Sequence, residues 1–225
     1  MSYIFTIVMF FFLLVINSNA QVKVSSAFSA AVTVPSGEYS DYFSSGAGVY
    51  LDVSFSPVFT PFTFTLSGGF LYSEISKPGI ERDALNYLGV SSDEFTPPAS
   101  SYINFPVMIK ARYNTTPFNI KPFFEIEGGI NAILSEEINI LYSNAGTVAS
   151  TKKQEMFIKP AYSLGMGVEF LMSRETSLEF LVKYFLTGYE SKRYFTSEPA
   201  GIVHDGSVEE NGGQMIFSVA FRVKF

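Results

Sequence analysis

The sequence predicts an all-β chain, an eight-stranded antiparallel transmembrane β-barrel with short turns at one end and four long loops at the other. Three observations carry this prediction. From Gln21 onward apolar residues recur at every second position, with hardly any helical spacing. The alternation divides into eight runs, and each is at least as long as the ~9 to 11 residues that a tilted membrane strand needs. The links between runs alternate between short and long, as a barrel with a turn end and a loop end requires.

The segment before the runs is different. Tyr3 to Ile16 is an uncharged apolar stretch of fourteen residues, which as a helix spans roughly 21 Å, short of the ~30 Å hydrocarbon core. It reads as a secretory leader, although no Lys or Arg precedes it. Small Ser18 and Ala20 at the −3 and −1 positions set cleavage before Gln21, which makes 1–20 a signal peptide and 21–225 the barrel domain. The chain has no cysteine, which excludes lipid attachment, a disulfide scaffold, a thiolate zinc site and a cysteine nucleophile.

The eight expected strands are Val22 to Val34, Ala47 to Ser56, Phe62 to Glu74, Tyr102 to Tyr113, Phe118 to Leu134, Gln154 to Met172, Ser177 to Tyr189 and Gln214 to Phe225. In the fifth, Phe118, Ile120, Pro122, Phe124, Ile126, Ile130 and Leu134 share one face, while Lys121, Glu125, Glu127 and Asn131 share the other. The sixth sets Met156, Ile158, Tyr162, Leu164 and Met166 against Lys159, Ser163 and Glu169, and the seventh sets Leu178, Phe180, Val182 and Tyr184 against Glu179 and Lys183. Pro57 to Pro61, Asn114 to Pro117 and Ser173 to Thr176 read as tight turns. Pro35 to Gly46, Ile75 to Ser101, Ser135 to Lys153 and Glu190 to Gly213 read as long loops. Within the second of these, Ile80, Ala84, Leu85 and Leu88 have helical spacing and predict a short helix over Glu81 to Leu88.

A water-soluble eight-stranded barrel such as a lipocalin shares this periodicity with its faces reversed. Three features favour lipid. Phe55, Phe59, Phe62, Tyr113, Phe118 and Phe225 gather beside the short turns, where a membrane barrel carries its aromatic girdle. The apolar face carries no charge until the strand ends, and a Lys or Arg at the midplane of a lipid face costs about 2 to 4 kcal/mol. The last strand places Phe217, Val219, Phe221, Val223 and Phe225 on one face and stops at the phenylalanine, resembling the signal read by the outer-membrane assembly machinery.

Sorting charge by parity separates two surfaces. The face opposite the apolar one collects Lys23, Lys110, Arg112, Lys121, Lys159, Lys183, Arg222 and Lys224 with Asp52, Glu125, Glu127, Glu169 and Glu179, a surplus of three positive charges. The long loops with their strand ends hold six bases and fifteen acids, so nearly all the acidity behind the net charge of −6 lies there. Acidity without a basic run excludes nucleic-acid binding. An eight-stranded lumen is just wide enough to be filled by side chains, and opposite charges packed in it must pair. The expectation is a plugged barrel held by a lumenal ionic network, with no open channel.

The remaining motifs carry little chemistry. His204, the single histidine, adjoins Asp205 in the last loop, near Ser197 and Ser207. Those are the residue types of an acyl-transfer triad, but an exposed loop histidine is ordinarily solvated and a charged lumen cannot hold an acyl chain. Asp205, Glu209 and Glu210 match no known calcium loop. The Gly128-Gly129 and Gly165-Met166-Gly167 segments lie in strands, where they relieve crowding. No catalytic residue, cofactor or metal is expected.

The run Ser101-Tyr102-Ile103-Asn104-Phe105-Pro106-Val107-Met108-Ile109-Lys110-Ala111-Arg112-Tyr113 resembles the central strand of the PorT-like outer-membrane β-barrel proteins of Bacteroidetes-type bacteria. Ile120 to Gly129, with Lys-Pro leading into a glycine pair, resembles the strand that follows, and Tyr162 to Phe170 and Phe217 to Phe225 match as well. The family shares the architecture of the OmpA-like and OmpX-like barrels. The resemblance implies a bacterial outer-membrane location and, for a few members, a part in protein secretion or gliding. The expected function is that of a non-enzymatic structural or surface-binding scaffold, monomeric, embedded in outer-membrane lipid by the assembly machinery. An accessory component of a secretion or surface-assembly machine is the alternative, with a protein partner met through the loops. A lipid-modifying enzyme is the weaker one.

Overall fold

Strict alternation of apolar and polar side chains suits an extended backbone with one face on each medium, and strand is what the chain forms. The structure is a computed structural model that describes residues 22–37, 39–58, 60–75, 101–115, 119–135, 138–141, 148–152, 155–197 and 202–225. The strands are β1 (Val22–Ser36), β2 (Phe43–Pro57), β3 (Phe62–Ile75), β4 (Ser101–Asn114), β5 (Ile120–Ser135), β6 (Ile138–Leu141), β7 (Val148–Lys152), β8 (Glu155–Leu171), β9 (Thr176–Ser197) and β10 (Ile202–Lys224). A single turn of helix, α1 (Tyr39–Tyr42), separates β1 from β2. The leader and the helix expected over 81–88 lie outside the described residues.

Eight of the strands form a closed antiparallel ring in the order β1-β2-β3-β4-β5-β8-β9-β10, with β10 returning to β1. Closure leaves no unpaired edge within the ring, which a membrane-spanning sheet requires. The start of β1 and the end of β10 meet at the short-turn end, where the Phe225 amide donates to the Val24 carbonyl. The turn between β8 and β9 is fixed by Ser173, whose Oγ accepts from the amides of Glu175 and Thr176.

The faces follow sequence parity. Along β5, Phe123, Glu125, Glu127, Asn131 and Ile133 are buried, while Ile120, Phe124, Ile126 and Ile130 are exposed. Outward-facing Phe28, Leu51, Leu66, Ile109, Leu164, Phe180 and Val219, one from each of the other ring strands, extend the same exposed apolar belt around the barrel. Such a continuous greasy surface is stable only against hydrocarbon, which reverses the arrangement of a soluble barrel. At the turn end Phe62 and Tyr113 are exposed and pack ring to ring at 5.4 Å, and Phe225 is exposed. Phe59 and Phe118 lie outside the described residues.

The loop end corrects the expected boundaries. Glu190 to Gly213 is chiefly strand: β9 and β10 continue in unbroken register to the pair Ile202↔Ser197. Ser135 to Lys153 contains the β6–β7 hairpin, and β7 joins β9 through Val148↔Ser197 and Ala149↔Thr196. Pro35 to Gly46 is shortened by a longer β1 and β2. Clear of the membrane, neither strand face has to be apolar, so the alternation that marks the barrel disappears although the pairing continues.

Candidate functional site

The lumen is built in layers by residues two apart on each strand. Nearest the turns, Arg112 on β4 faces Glu125 on β5 directly across the ladder. Its Nε and Nη2 donate to Glu125 Oε2 at 3.2 and 3.1 Å, and its Nη1 donates to Glu179 Oε1 at 2.9 Å. Glu179 also receives Nε and Nη2 of Arg222, whose Nη1 donates to Ser25 Oγ at 3.0 Å and Ser54 Oγ at 2.7 Å. The result is an alternating chain, Glu125–Arg112–Glu179–Arg222, drawn from four strands. The Arg112 guanidinium lies 3.8 Å from the Phe123 ring centroid, a cation–π contact in a desolvated site.

Two residues further from the turns, a second chain repeats the pattern. Asp52 accepts from Lys110 Nζ at 3.0 Å, Lys110 is 3.5 Å from Glu127, and Glu127 accepts from Lys183 Nζ with both oxygens at 2.9 and 3.0 Å. The Tyr50 ring sits over this chain, 4.5 Å from Lys183 Nζ and 5.7 Å from Lys110 Nζ. A further pair, Lys224–Glu169, closes the turn end. Each side chain in the two four-membered chains is nearly excluded from solvent.

The next layer is apolar. Ala31, Tyr50, Leu71, Met108, Ala161, Phe185 and Ile216, from seven of the eight ring strands, pack as one buried cluster. Bulky members face glycine across the ladder: Tyr50 lies opposite Gly69, Met108 opposite Gly129, and Phe123 in the layer below opposite Gly167. A Cβ would collide with the Tyr50 ring at Gly69, with the Phe123 ring and the Phe180 carbonyl at Gly167, and with the β4 backbone beside Met108 at Gly129, so glycine lets these side chains pack inward. Above this cluster, Asn131 Nδ2 donates to Asn104 Oδ1 at 2.7 Å. At the loop end, Tyr39 of α1 stacks with Phe43 at 4.3 Å and Phe43 with Tyr102 at 4.4 Å, with Ile133 completing an aromatic cap. Among the described residues, ionic, apolar, amide and aromatic layers follow one another along the bore.

Of the thirteen charged residues assigned to the lumen, ten pair as five acids with five bases. The remaining three are lysines outside these ten. Lys23 is exposed at the turn end, and Lys121 and Lys159 are half-buried. The three-charge surplus expected of the lumen is therefore carried by residues at partly solvated positions, and the buried network is neutral. Beside the ionic network, apolar and amide layers occupy the half beyond Tyr50. Tyr50, Leu71, Met108, Phe123, Phe185 and Ile216 are lumenal residues that sorting by charge leaves out. They share the inward parity of Asp52, Lys110, Glu125, Lys183 and Arg222 but carry no charge to set them apart from the outward apolar residues.

His204 and Asp205 lie on β10 opposite Phe195 and Tyr194, in strand and not in loop. Glu209 and Glu210 are on the same strand, opposite Glu190 and Tyr189. Among the described residues no group of His, Cys, Asp or Glu is placed to hold a metal ion. Phe217, Val219, Phe221 and Phe225 are exposed on the outer face of β10, and Val223 is half-buried there.

Above the ring, β10, β9, β7 and β6 form one four-stranded sheet in that order. The last β10 residue paired with β1 is Gly213, against Ser36. Eleven more residues, Ile202 to Gly212, continue beyond it on β9 alone among the described pairings, a reach of roughly 35 Å.

No family model and no curated protein sequence matches the chain. Solved structures do. Neisserial surface protein A aligns with a TM-score of 0.53 at 13% identity, over 92% of this chain and 100% of that one. OprG from Pseudomonas aeruginosa gives 0.52 at 12%, over 92% and 96%, and a major outer membrane protein from Thermus thermophilus gives 0.51 at 12%, over 88% and 99%. At these identities the likeness establishes the fold: this chain has the closed eight-stranded antiparallel barrel of the small outer-membrane proteins.

Proposed function

We propose that the protein is a bacterial outer-membrane scaffold, a rigid, non-conducting barrel that holds a β-sheet above the membrane for a protein partner to bind. The observation that carries this reading is the continuation of β9 and β10 for eleven residues past the ring, with β6 and β7 joined to it, over a bore crossed by four kinds of layer. Successive layers of packed side chains across the bore serve no passage among the described residues, so the part with freedom to act is the sheet. The reading takes 1–20 as a cleaved leader, the Phe217 to Phe225 face as the assembly signal and the mature barrel as a monomer. It assigns no catalytic role to His204.

The rival reading, an accessory component of a secretion or surface-assembly machine of the kind the PorT-like resemblance implies, uses the same sheet and differs in requiring one stable partner within the assembling cell. Affinity capture with the wild-type barrel and with a variant trimmed across 190–212 tests the reading. Capture lost on trimming supports display by the sheet, and a single stoichiometric partner from the same cell favours the machine. Capture unaffected by trimming refutes both.

A further inference from the structure

Resting on the display reading, the structure assigns the mode of binding: we propose that the sheet takes up an extended, basic peptide segment of its partner as an added strand along the open edge of β10. The edge is created by the sequence. At Ser36 the strand that should continue beside β10 stops, because Gly37 adopts φ +62° and turns the chain into α1. Tyr39 of α1 then packs on Gly212 and into the aromatic cap at the barrel mouth, so the chain crosses the base of the extension and does not continue beside it as a strand. Among the described pairings, β10 from Ile202 to Gly212 has a partner on one side only.

Hydrogen-bond parity states which groups are open. The Lys224 amide donates toward the β9 side, to Glu175, and the Phe225 amide donates toward β1, to Val24. Register with both neighbours is continuous, so even-numbered residues of β10 bond β9 and odd-numbered residues bond β1. Past Gly213 the main-chain groups of Asn211, Glu209, Ser207, Asp205 and Val203 therefore face the side that β1 has left. Five N–H and five C=O groups in a row are a template for a strand. The sheet's other edge, β6, is only four residues long and offers little.

Charge selects the occupant. Asp205, Glu209 and Glu210 lie along the open strand, and the register sets Glu209 opposite Glu190 on β9. On β9 the same register sets Lys192 opposite Ser207 and Arg193 opposite Gly206, so the unbalanced acids are those of β10 itself, the strand that an added segment lies against. A second copy of this chain fits poorly. Antiparallel self-addition centred on Ser207, the middle of the open run, would set Asp205 against Glu209 twice. The chemistry points to a strand of alternating Lys or Arg residues.

The test uses the full-length barrel refolded in lipid nanodiscs, probed with a synthetic peptide of about ten residues in which Lys and Thr alternate, and with its Glu-Thr counterpart. Expected are saturable binding of the Lys-Thr peptide, at least about tenfold weaker binding of the Glu-Thr peptide, and slowed hydrogen exchange at the odd-numbered amides 203 to 211. Ser207→Pro removes an N–H that faces the open edge and none that bonds β9, so the hairpin is retained while binding falls about tenfold. Glu209→Gln weakens binding several-fold. Equal binding of the two peptides, binding unchanged in Ser207→Pro, or binding without odd-residue protection overturns strand addition. If trimming 190–212 abolishes partner capture while the Lys-Thr peptide fails to bind, strand addition alone falls and the display reading stands.

Discussion

Glu179→Gln is the sharpest probe of the lumen. Glu179 accepts from two guanidinium groups, one hydrogen bond from Arg112 and two from Arg222. Glutamine keeps the shape and one acceptor oxygen but removes the charge. Arg112 retains Glu125 at 3.1 Å, whereas Arg222 retains only the hydroxyls of Ser25 and Ser54. One buried guanidinium is left without a counter-charge in a network that was neutral. Breaking a buried pair from one side costs about 3 to 5 kcal/mol, and the surviving acceptor places the expected loss near the lower end, about 3 kcal/mol. Arg222→Gln added to Glu179→Gln restores neutrality, so the double variant should lose about 1 to 3 kcal/mol less than the sum of the singles. Equilibrium urea unfolding of all four proteins in lipid vesicles measures both quantities. A single-variant loss below about 1 kcal/mol, or strict additivity across the cycle, would refute a buried, coupled network.

Other consequences follow from the same geometry. Gly69→Ala should cost about 1 to 3 kcal/mol by urea unfolding because its Cβ meets the Tyr50 ring, while Gly68→Ala, whose Cβ meets open space, should be neutral or slightly stabilising. Leu164→Arg, at mid-height on the outer face of β8, should cost about 2 to 4 kcal/mol, against about 0 to 1 kcal/mol for Met172→Arg at the strand end. In planar bilayers the wild-type barrel should give no stable large conductance. Tyr50→Ala with Phe185→Ala, which opens the apolar layer, should raise current noise only if the ionic chains beneath also part. A steady large current through the wild type would show that the layers do not close the bore.

How far the sequence exposed this structure differs between its two ends. Within the membrane one rule, lipid outside and packed side chains inside, acts on each residue separately, so parity alone identifies the strands and separates Phe124 from Phe123 and Ile126 from Glu125. Above the membrane that rule lapses. Glu190 to Gly213 alternates nothing visible, and its strands are held by main-chain pairing that any side chain permits. The lumen is intermediate. That Arg112 and Glu179 face inward is legible from their neighbours, but that they meet across 67 positions depends on the register of strands that are not adjacent. Likewise Gly69 shows its purpose only once β2 and β3 are aligned to set it against Tyr50.

The chain contains no tryptophan, and this makes the central claim directly measurable. Phe123 and Phe124 are consecutive, 1% and 52% exposed, one inside the barrel and one on its outer wall. Single replacements Phe123→Trp and Phe124→Trp, reconstituted with brominated phospholipids, report which side meets acyl chains. Strong quenching at 124 with little at 123 is the predicted result; equal quenching, or the reverse order, would contradict a barrel whose apolar face is turned to lipid.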